Sequence, residues 1–143
     1  YPLNYVTLRY FNPYGPRSFN PDNPFNAYSS VVGIFLDRKK NMKPLLITGD
    51  GSQERDFIHV ADVASANYAA AIVEGKPNTA VNIGYGSTIS IKELALMISD
   101  EFEFIAARLG EAEVTHANIN AAKELLGWKP ERDLQMFLES ELS

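Results

Sequence analysis

The sequence predicts an α/β fold, because strand-like and helix-like segments alternate along its 143 residues. Three observations support this prediction. An aromatic and β-branched stretch lies near the start, helices with recognisable caps follow short apolar runs, and glycines and prolines separate the two kinds of segment. Such alternation is typical of parallel strand pairing, and the length favours one domain.

Local patterns place the elements of the first half of the chain. Val31 with Phe35, and Val32 with Leu36, have the i, i+4 spacing of one helix face. Prolines in the stretch before that helix indicate a loop of the length at which loops are often functional. In chain order, the predicted elements are a strand over 5–11, a loop over 12–26, a helix over about 27–40, a strand ending in a turn over 43–51 and an extended piece over 56–60.

Helix caps place the elements of the second half. Asp62 is the expected N-cap of a helix that Gly75 ends. Ser90 and Glu93 have the spacing of a capping box, and Gly127 follows a later helix. The predicted elements are a helix over 63–74, a strand and glycine turn over 79–87, a helix to about residue 100, a strand and loop over 102–111, a helix within 118–130 and a last helix from Leu134.

The composition narrows the class of protein. The formal net charge is -5 and no run of basic residues occurs, so nucleic-acid binding is not expected. The sequence contains no cysteine, which excludes disulfides and thiolate metal sites and fits a reducing compartment. No apolar run reaches the roughly 18 residues of a membrane helix, and no signal-peptide pattern is present. We therefore expect a cytoplasmic protein that neither spans a membrane nor holds a metal.

Loop arginines are the first candidates for ligand contacts. Glycine lets a ligand approach the backbone closely, and the planar guanidinium group suits two phosphate oxygens at once. The alternative is that each arginine pairs with a nearby acid, Arg55 with Asp56 or Asp62, and Arg108 with Glu111. Three arginines lie beside turn-forming residues: Arg17, Arg55 and Arg108.

Other polar groups allow two interpretations each. Asn12 follows the first strand, where α/β proteins bind ligands, but it also suits the start of a turn before Pro13. His59 and His116 are candidate general bases, and His59 equally suits a partly buried strand position. The glycine-rich stretches do not complete a known phosphate-binding motif. The residues alone therefore indicate an anionic small-molecule site without a catalytic group.

Five stretches, taken in series, carry a resemblance to a known family. They are VTLRYFNPYGPR (6–17), LLITGDGSQERDFIHVADVA (45–64), VNIGYGSTISIKEL (81–94), RLGEAEVTHANI (108–119) and AKELLGWKP (122–130). Their order and spacing resemble those of nucleotide-sugar epimerases and dehydratases of the extended short-chain dehydrogenase/reductase superfamily. Within that group, the chain is most similar to UDP-glucose and UDP-N-acetylglucosamine 4-epimerases.

The resemblance implies the C-terminal half of such an enzyme. Residues 1–12 would form a late strand of the NAD-binding Rossmann sheet, with 80–84 in or beside that sheet, and 13–143 would form the substrate-binding domain. The family's glycine-rich NAD turn and Tyr-x-x-x-Lys catalytic pair have no match, since no tyrosine here is followed four residues later by lysine. We therefore expect a fragment of a longer, homodimeric enzyme; an ordinary N-terminal strand is the alternative.

The same resemblance implies a set of ligand contacts. Asp56 and Asp62 are expected to orient the arginine of the diphosphate site, and Leu109 departs from the family's proline. The implied substrate contacts are Asn12 and Arg55 at the diphosphate, Arg108 and Glu111 at a phosphate and the ribose, Leu46 and Thr48 beside uracil, and Ser29 near the sugar. The implied cofactor contacts, near the nicotinamide of NAD, are Tyr10 and Pro13.

The implied activity of the full-length enzyme is NAD-dependent epimerisation of a UDP-hexose at the sugar C4, through a 4-keto intermediate. This half would hold the diphosphate while the keto-sugar turns, because remote binding energy positions the reacting atoms. The chain by itself is expected to be inactive. Two alternatives stay open: a dehydratase, decarboxylase or reductase on the same scaffold, and a nucleotide-sugar-binding module without a redox role.

Overall fold

The computed structural model describes residues 3–23, 29–75 and 77–143 and confirms the α/β class. Within those residues, strands and helices alternate for most of the chain. The elements are β1 (Val6–Tyr10), β2 (Pro13–Tyr14), α1 (Val31–Lys40), β3 (Leu45–Thr48), β4 (Glu54–Arg55), β5 (Ile58–His59), α2 (Val60–Ile72), β6 (Thr79–Ile83), β7 (Ile89–Ser90), α3 (Ile91–Ile98), β8 (Phe102–Ile105), β9 (Val114–Thr115), α4 (Asn120–Leu126) and α5 (Leu134–Leu142).

The strands form small sheets that are mostly parallel, as the alternation predicts. β1 pairs with β6, β2 with β5 and β3 with β8, each in parallel orientation. The remaining sheet has β4 in the middle, antiparallel to β7 and parallel to β9. β6 lies beside β1 along its whole length, while the proposed domain division at residue 12 stays a prediction.

Two apolar clusters hold the elements together. The first fills the space between α1, β3, α3 and α5, and the second joins β1 and β6 to α2 and α4. Fully burying a large aliphatic or aromatic side chain stabilises a fold by about 1.5–3 kcal/mol. Large, almost fully enclosed members include Tyr14, Phe35, Leu45, Ile47, Leu94 and Leu138 in the first cluster, and Ile58, Val81 and Ile83 in the second.

Two predicted helix caps are confirmed and one helix start is wrong. Ser90 and Glu93 form the complete capping box of α3, and Gly127 ends α4 in the left-handed conformation. The helix expected from about residue 27 begins at Val31, because Ser30 has an extended backbone and acts as its N-cap residue. Residues 27 and 28 themselves lie outside the described part of the chain.

The prediction that Asp62 caps the next helix is also wrong. α2 begins at Val60, and the Nδ1 atom of His59 caps it by accepting a hydrogen bond from the Ala61 backbone N–H at 3.1 Å. The Asp62 carboxylate lies in the first turn and is buried against the segment before α5. It accepts two backbone N–H groups there and pairs with Arg132 at 2.6 Å, which are stronger interactions than a cap would offer.

Candidate functional site

Arg55 is held in the middle of the three-stranded sheet. It lies on β4 opposite Ile89 of β7 and Thr115 of β9, and its side chain is 11% exposed. One terminal nitrogen, Nη1, donates to the Glu54 carbonyl at 2.7 Å. The other, Nη2, forms an ion pair with Glu111 Oε1 at 3.0 Å. The guanidinium group is therefore fixed by the fold and faces a carboxylate brought from a distant loop.

The expectation that Asp56 and Asp62 orient Arg55 is wrong for direct contact, because neither carboxylate pairs with its guanidinium group. Successive side chains of an extended segment point to opposite sides, so the Asp56 carboxylate is directed away from Arg55 and into the interior. It binds backbone N–H groups there, and Asp62 is engaged with Arg132. The alternative pairings from the sequence are wrong as well, because Glu111 pairs with Arg55 and not with Arg108.

An open cleft of about 470 Å³ lies beside this ion pair. Glu111 Oε2 accepts a hydrogen bond from the Thr48 hydroxyl at 3.3 Å, so one carboxylate joins β3 to β4. Gln53 completes the network by donating to the Thr48 carbonyl at 2.9 Å and to its hydroxyl at 3.0 Å. The polar side chains lining the cleft include Thr48, Asp50, Ser52, Gln53, Arg108, Glu111 and Glu113.

The cleft is lined by more acidic than basic residues. Arg108 is exposed at its rim, while Asp50, Glu111 and Glu113 also line it. Hydrogen bonds from the Ser52 hydroxyl and backbone hold the pKa of Asp50 below its ordinary value. An anionic ligand therefore reaches Arg55 only if it replaces the Glu111 carboxylate there.

Asn12 lies next to this sheet through its side-chain amide. Its backbone has a positive φ of 37°, and Nδ2 donates to the Asp56 carbonyl at 2.7 Å and to Thr115 Oγ1 at 3.2 Å. Both amide protons are thus already used within the protein. The predicted contact of Asn12 with a diphosphate stays a prediction, and it would require the side-chain NH2 group to leave one of these two partners, because diphosphate oxygens accept hydrogen bonds.

The other predicted site residues are spread over the fold, from β3 beside the cleft to a second groove. Leu46 and Thr48 share one face of β3. Ser29 is partly buried just before α1. The Tyr10 hydroxyl donates to Asn67 Oδ1 at 3.0 Å on a second groove, between β1 and α2, and Pro13 is exposed on β2. The structure thus brings Thr48, Arg55, Arg108 and Glu111 together, with Asn12 adjacent.

Gln53 is a residue of this site that the sequence reasoning did not select. It lies two positions before Arg55 in the same glycine-rich stretch, so a polar side chain on the same side of the segment was a usable signal. Among the described residues, no group of three or more His, Cys, Asp or Glu side chains could hold a metal ion. Within the same residues, no helix has the length and apolar character to cross a bilayer.

Comparison with known proteins identifies the family. The sequence profile of the NAD dependent epimerase/dehydratase family matches residues 1–84. The chain belongs to this family. It is 40% identical over 141 residues to a putative UDP-glucose 4-epimerase of Methanocaldococcus jannaschii, covering 94% of this chain and 43% of that relative. The resemblance inferred from the five sequence stretches is thereby confirmed.

Solved structures of epimerase/dehydratase proteins share the fold. UDP-glucose 4-epimerase of Thermotoga maritima, solved with UDP-glucose, superposes with a TM-score of 0.86 at 32% identity, covering 98% of this chain and 45% of that one. UDP-N-acetylglucosamine 4-epimerase of Methanobrevibacter ruminantium M1, solved with UDP-N-acetylmuramic acid, gives 0.85 at 30% identity, with coverage of 98% and 45%. The chain therefore spans less than half the length of these relatives.

Proposed function

We propose that this chain is the nucleotide-sugar-binding part of an NAD-dependent 4-epimerase acting on UDP-hexoses. The observation that carries the proposal is the nearly buried Arg55, whose ion-pair partner Glu111 also bonds Thr48 and lines an open cleft with Arg108 on its rim. Similar proteins solved with UDP-glucose or UDP-N-acetylmuramic acid support a nucleotide sugar as the ligand class.

Arg55 is suited to bind the diphosphate. A guanidinium group offers two parallel N–H donors to phosphate oxygens, and a hydrogen bond to a charged group contributes about 1.5–3 kcal/mol. Arg55 Nη2 is paired with Glu111 Oε1, so the diphosphate has to replace this carboxylate. When the diphosphate binds, Glu111 is released and becomes available to accept hydrogen bonds from the ribose hydroxyls, while Thr48 and Gln53 flank the base.

Among the described residues, Tyr10 and Pro13 are the expected contacts for the nicotinamide end of NAD. The Tyr10 ring is about half exposed at the carboxyl end of β1, a position where α/β sheets bind ligands, but its hydroxyl is bound to Asn67. When bound, NAD supplies the hydride acceptor for oxidation at the sugar C4. The described residues bind the nucleotide. This remote binding energy holds the substrate in the site while its sugar ring turns.

A nucleotide-sugar-binding module without redox chemistry is the second candidate. It would use the same cleft, and the sequence, in which no tyrosine is followed four residues later by lysine, fits it as well as it fits part of an epimerase. A dehydratase, decarboxylase or reductase would use the same nucleotide-binding residues, so the cleft by itself does not distinguish these reactions from epimerisation. Titrations with UDP and with NAD distinguish a nucleotide site from a cofactor site on this chain.

Arg55→Ala tests the proposal directly. We expect UDP affinity, measured by isothermal titration calorimetry, to fall by about 30-fold or more, because truncating one partner of a buried charge pair costs about 2–5 kcal/mol. Arg132→Ala is the matched control, since it also removes a positive charge from an arginine–carboxylate pair but lies outside the cleft. Unchanged UDP affinity in Arg55→Ala contradicts the assignment, and absence of UDP binding by the parent chain contradicts the proposal itself.

A further inference from the structure

The Asp56 carboxylate links its own segment, after β4, to two other segments next to the candidate site by hydrogen bonds. It is fully buried, and all its described partners are backbone N–H groups. Oδ1 accepts from Tyr85 at 2.7 Å, while Oδ2 accepts from Gly86 at 2.9 Å and from Ala117 at 3.1 Å. A buried charge is tolerated when its hydrogen bonds are satisfied, and these three bonds satisfy it.

These three contacts lie beside the two strands that flank Arg55. Tyr85 and Gly86 precede β7, and Ala117 follows β9 by two residues. The Asp56 backbone N–H also donates to the Thr115 carbonyl of β9 at 2.9 Å. One side chain therefore fixes β7 and β9 against β4 at the end where Arg55 lies.

The backbone of the same residue holds Asn12. The Asp56 carbonyl accepts from Asn12 Nδ2 at 2.7 Å, so Asp56 joins the turn after β1 to the three-stranded sheet. The fit around the carboxylate is tight: a Cβ atom placed on Gly84 would lie 3.0 Å from Asp56 Oδ1 and 2.4 Å from the Ala117 Cβ. A larger residue at position 84 would therefore push these segments apart.

We propose that Asp56 is a positioning residue that sets the location of Arg55 relative to Asn12 and the loop over 84–88. This inference rests on the proposed function, in which Arg55 binds the diphosphate. Asp56 does not touch the ligand; it acts through the strands on either side of β4 and through the turn that carries Asn12. It thereby fixes the distance between the phosphate end of the site and the carboxyl end of β1.

Asp56→Asn removes the positioning role with almost no change in side-chain shape. An asparagine has one acceptor oxygen and one NH2 group, so in either orientation the NH2 group faces at least one of the three backbone N–H donors. The donor left without an acceptor must move or find water, which releases Gly86 and Ala117 together or Tyr85 alone. Arg55 then loses its fixed position although its own atoms are unchanged.

Asp62→Asn is the matched control. Asp62 is also fully buried and also accepts two backbone N–H groups, but it lies at the start of α2 and holds the segment before α5. At a temperature where circular dichroism shows both variants folded, we expect UDP to bind about tenfold more weakly to Asp56→Asn than to the parent chain. Asp62→Asn should change that affinity by less than about twofold.

A second readout keeps the test independent of UDP binding. In the ligand-free chain, the nitrogen resonances of the Arg55 guanidinium group should shift or broaden in Asp56→Asn and stay unchanged in Asp62→Asn. The inference is overturned if the Arg55 resonances are unmoved in Asp56→Asn, or if both variants weaken UDP binding equally. A parent chain that does not bind UDP refutes the proposed function instead, and the Arg55 resonances then decide the positioning role.

Discussion

At the scale of single residues, Arg55 shows what the sequence could and could not reveal. Its place after a glycine turn, among acids, indicated a ligand contact, and the structure puts it beside a cleft with Thr48 and Glu111. Its partner was not predictable from neighbouring residues, because Asp56 points into the interior. Glu111 lies 56 positions away in the sequence and meets Arg55 only through the fold.

Because Glu111 neutralises Arg55 in the ligand-free protein, it competes with any small anion. We expect Glu111→Gln to bind inorganic pyrophosphate about fivefold more tightly than the parent chain, an effect within the range of partly exposed ion pairs. Pyrophosphate has no ribose, so a lost ribose contact cannot mask the gain in a titration. Glu113→Gln is the control, since it removes the same charge from the same cleft without touching Arg55. An equal gain in pyrophosphate affinity in both variants would show that the effect comes from the net charge of the cleft and not from competition at Arg55.

At the scale of elements, helices and longer strands could be predicted from sequence patterns, whereas strands of two residues could not. The capping box of α3 could be identified from Ser90 and Glu93 because both partners are close in sequence. β2, β4, β7 and β9 have two residues each, too few to show an alternating pattern, and they exist because distant segments pair with them. The start of α2 was missed because a histidine is not among the usual caps.

The His59 cap makes the start of α2 sensitive to pH. Burial, with a smaller contribution from Arg132, lowers the pKa of His59 below its ordinary value, although Asp62 opposes this. His59 Nδ1 must be unprotonated to accept the Ala61 N–H, and the ring lies edge-on to Tyr14 with centroids 5.3 Å apart. The unfolded chain therefore binds this proton more readily than the folded one. The stability from neutral His59 is complete above the ordinary pKa of about 6.5 and is lost as the pH falls toward the lowered value.

We expect the free energy of unfolding to decrease between pH 7.5 and pH 5.5, and to decrease less in His59→Asn, which keeps a side-chain acceptor at the cap but does not titrate. Urea unfolding at several pH values measures both slopes. His116→Asn is the control for the second histidine, whose Nε2 contacts the Gly86 carbonyl away from α2. Parallel slopes for the parent chain and His59→Asn would show that the cap does not sense pH.

At the scale of the whole molecule, the family and the α/β class were predictable because the five motifs are continuous in sequence. The surroundings of β1 could not be predicted, because they depend on which segments pack against this strand in the fold. Within the described residues, β1 pairs with β6 alone, and a groove between β1 and α2 is lined partly by Tyr5, Leu8 and Tyr10. Large apolar side chains stay exposed on or beside these elements: Tyr5 just before β1, Tyr10 on β1, and Tyr68 and Ile72 on α2.

An unpaired strand edge beside exposed aromatic residues suits a further parallel strand. We therefore expect the chain alone not to interconvert UDP-galactose and UDP-glucose with NAD supplied, and activity to appear when the remaining segment of the M. jannaschii relative is added. Tyr5→Lys should lower that restored activity about tenfold or more, by placing a charge at a desolvated contact. Met42→Lys, which introduces the same charge in place of an exposed apolar side chain at the turn after α1, should leave it unchanged. Turnover by the chain alone would contradict the requirement for a second segment, and equal losses in both variants would place the contact elsewhere.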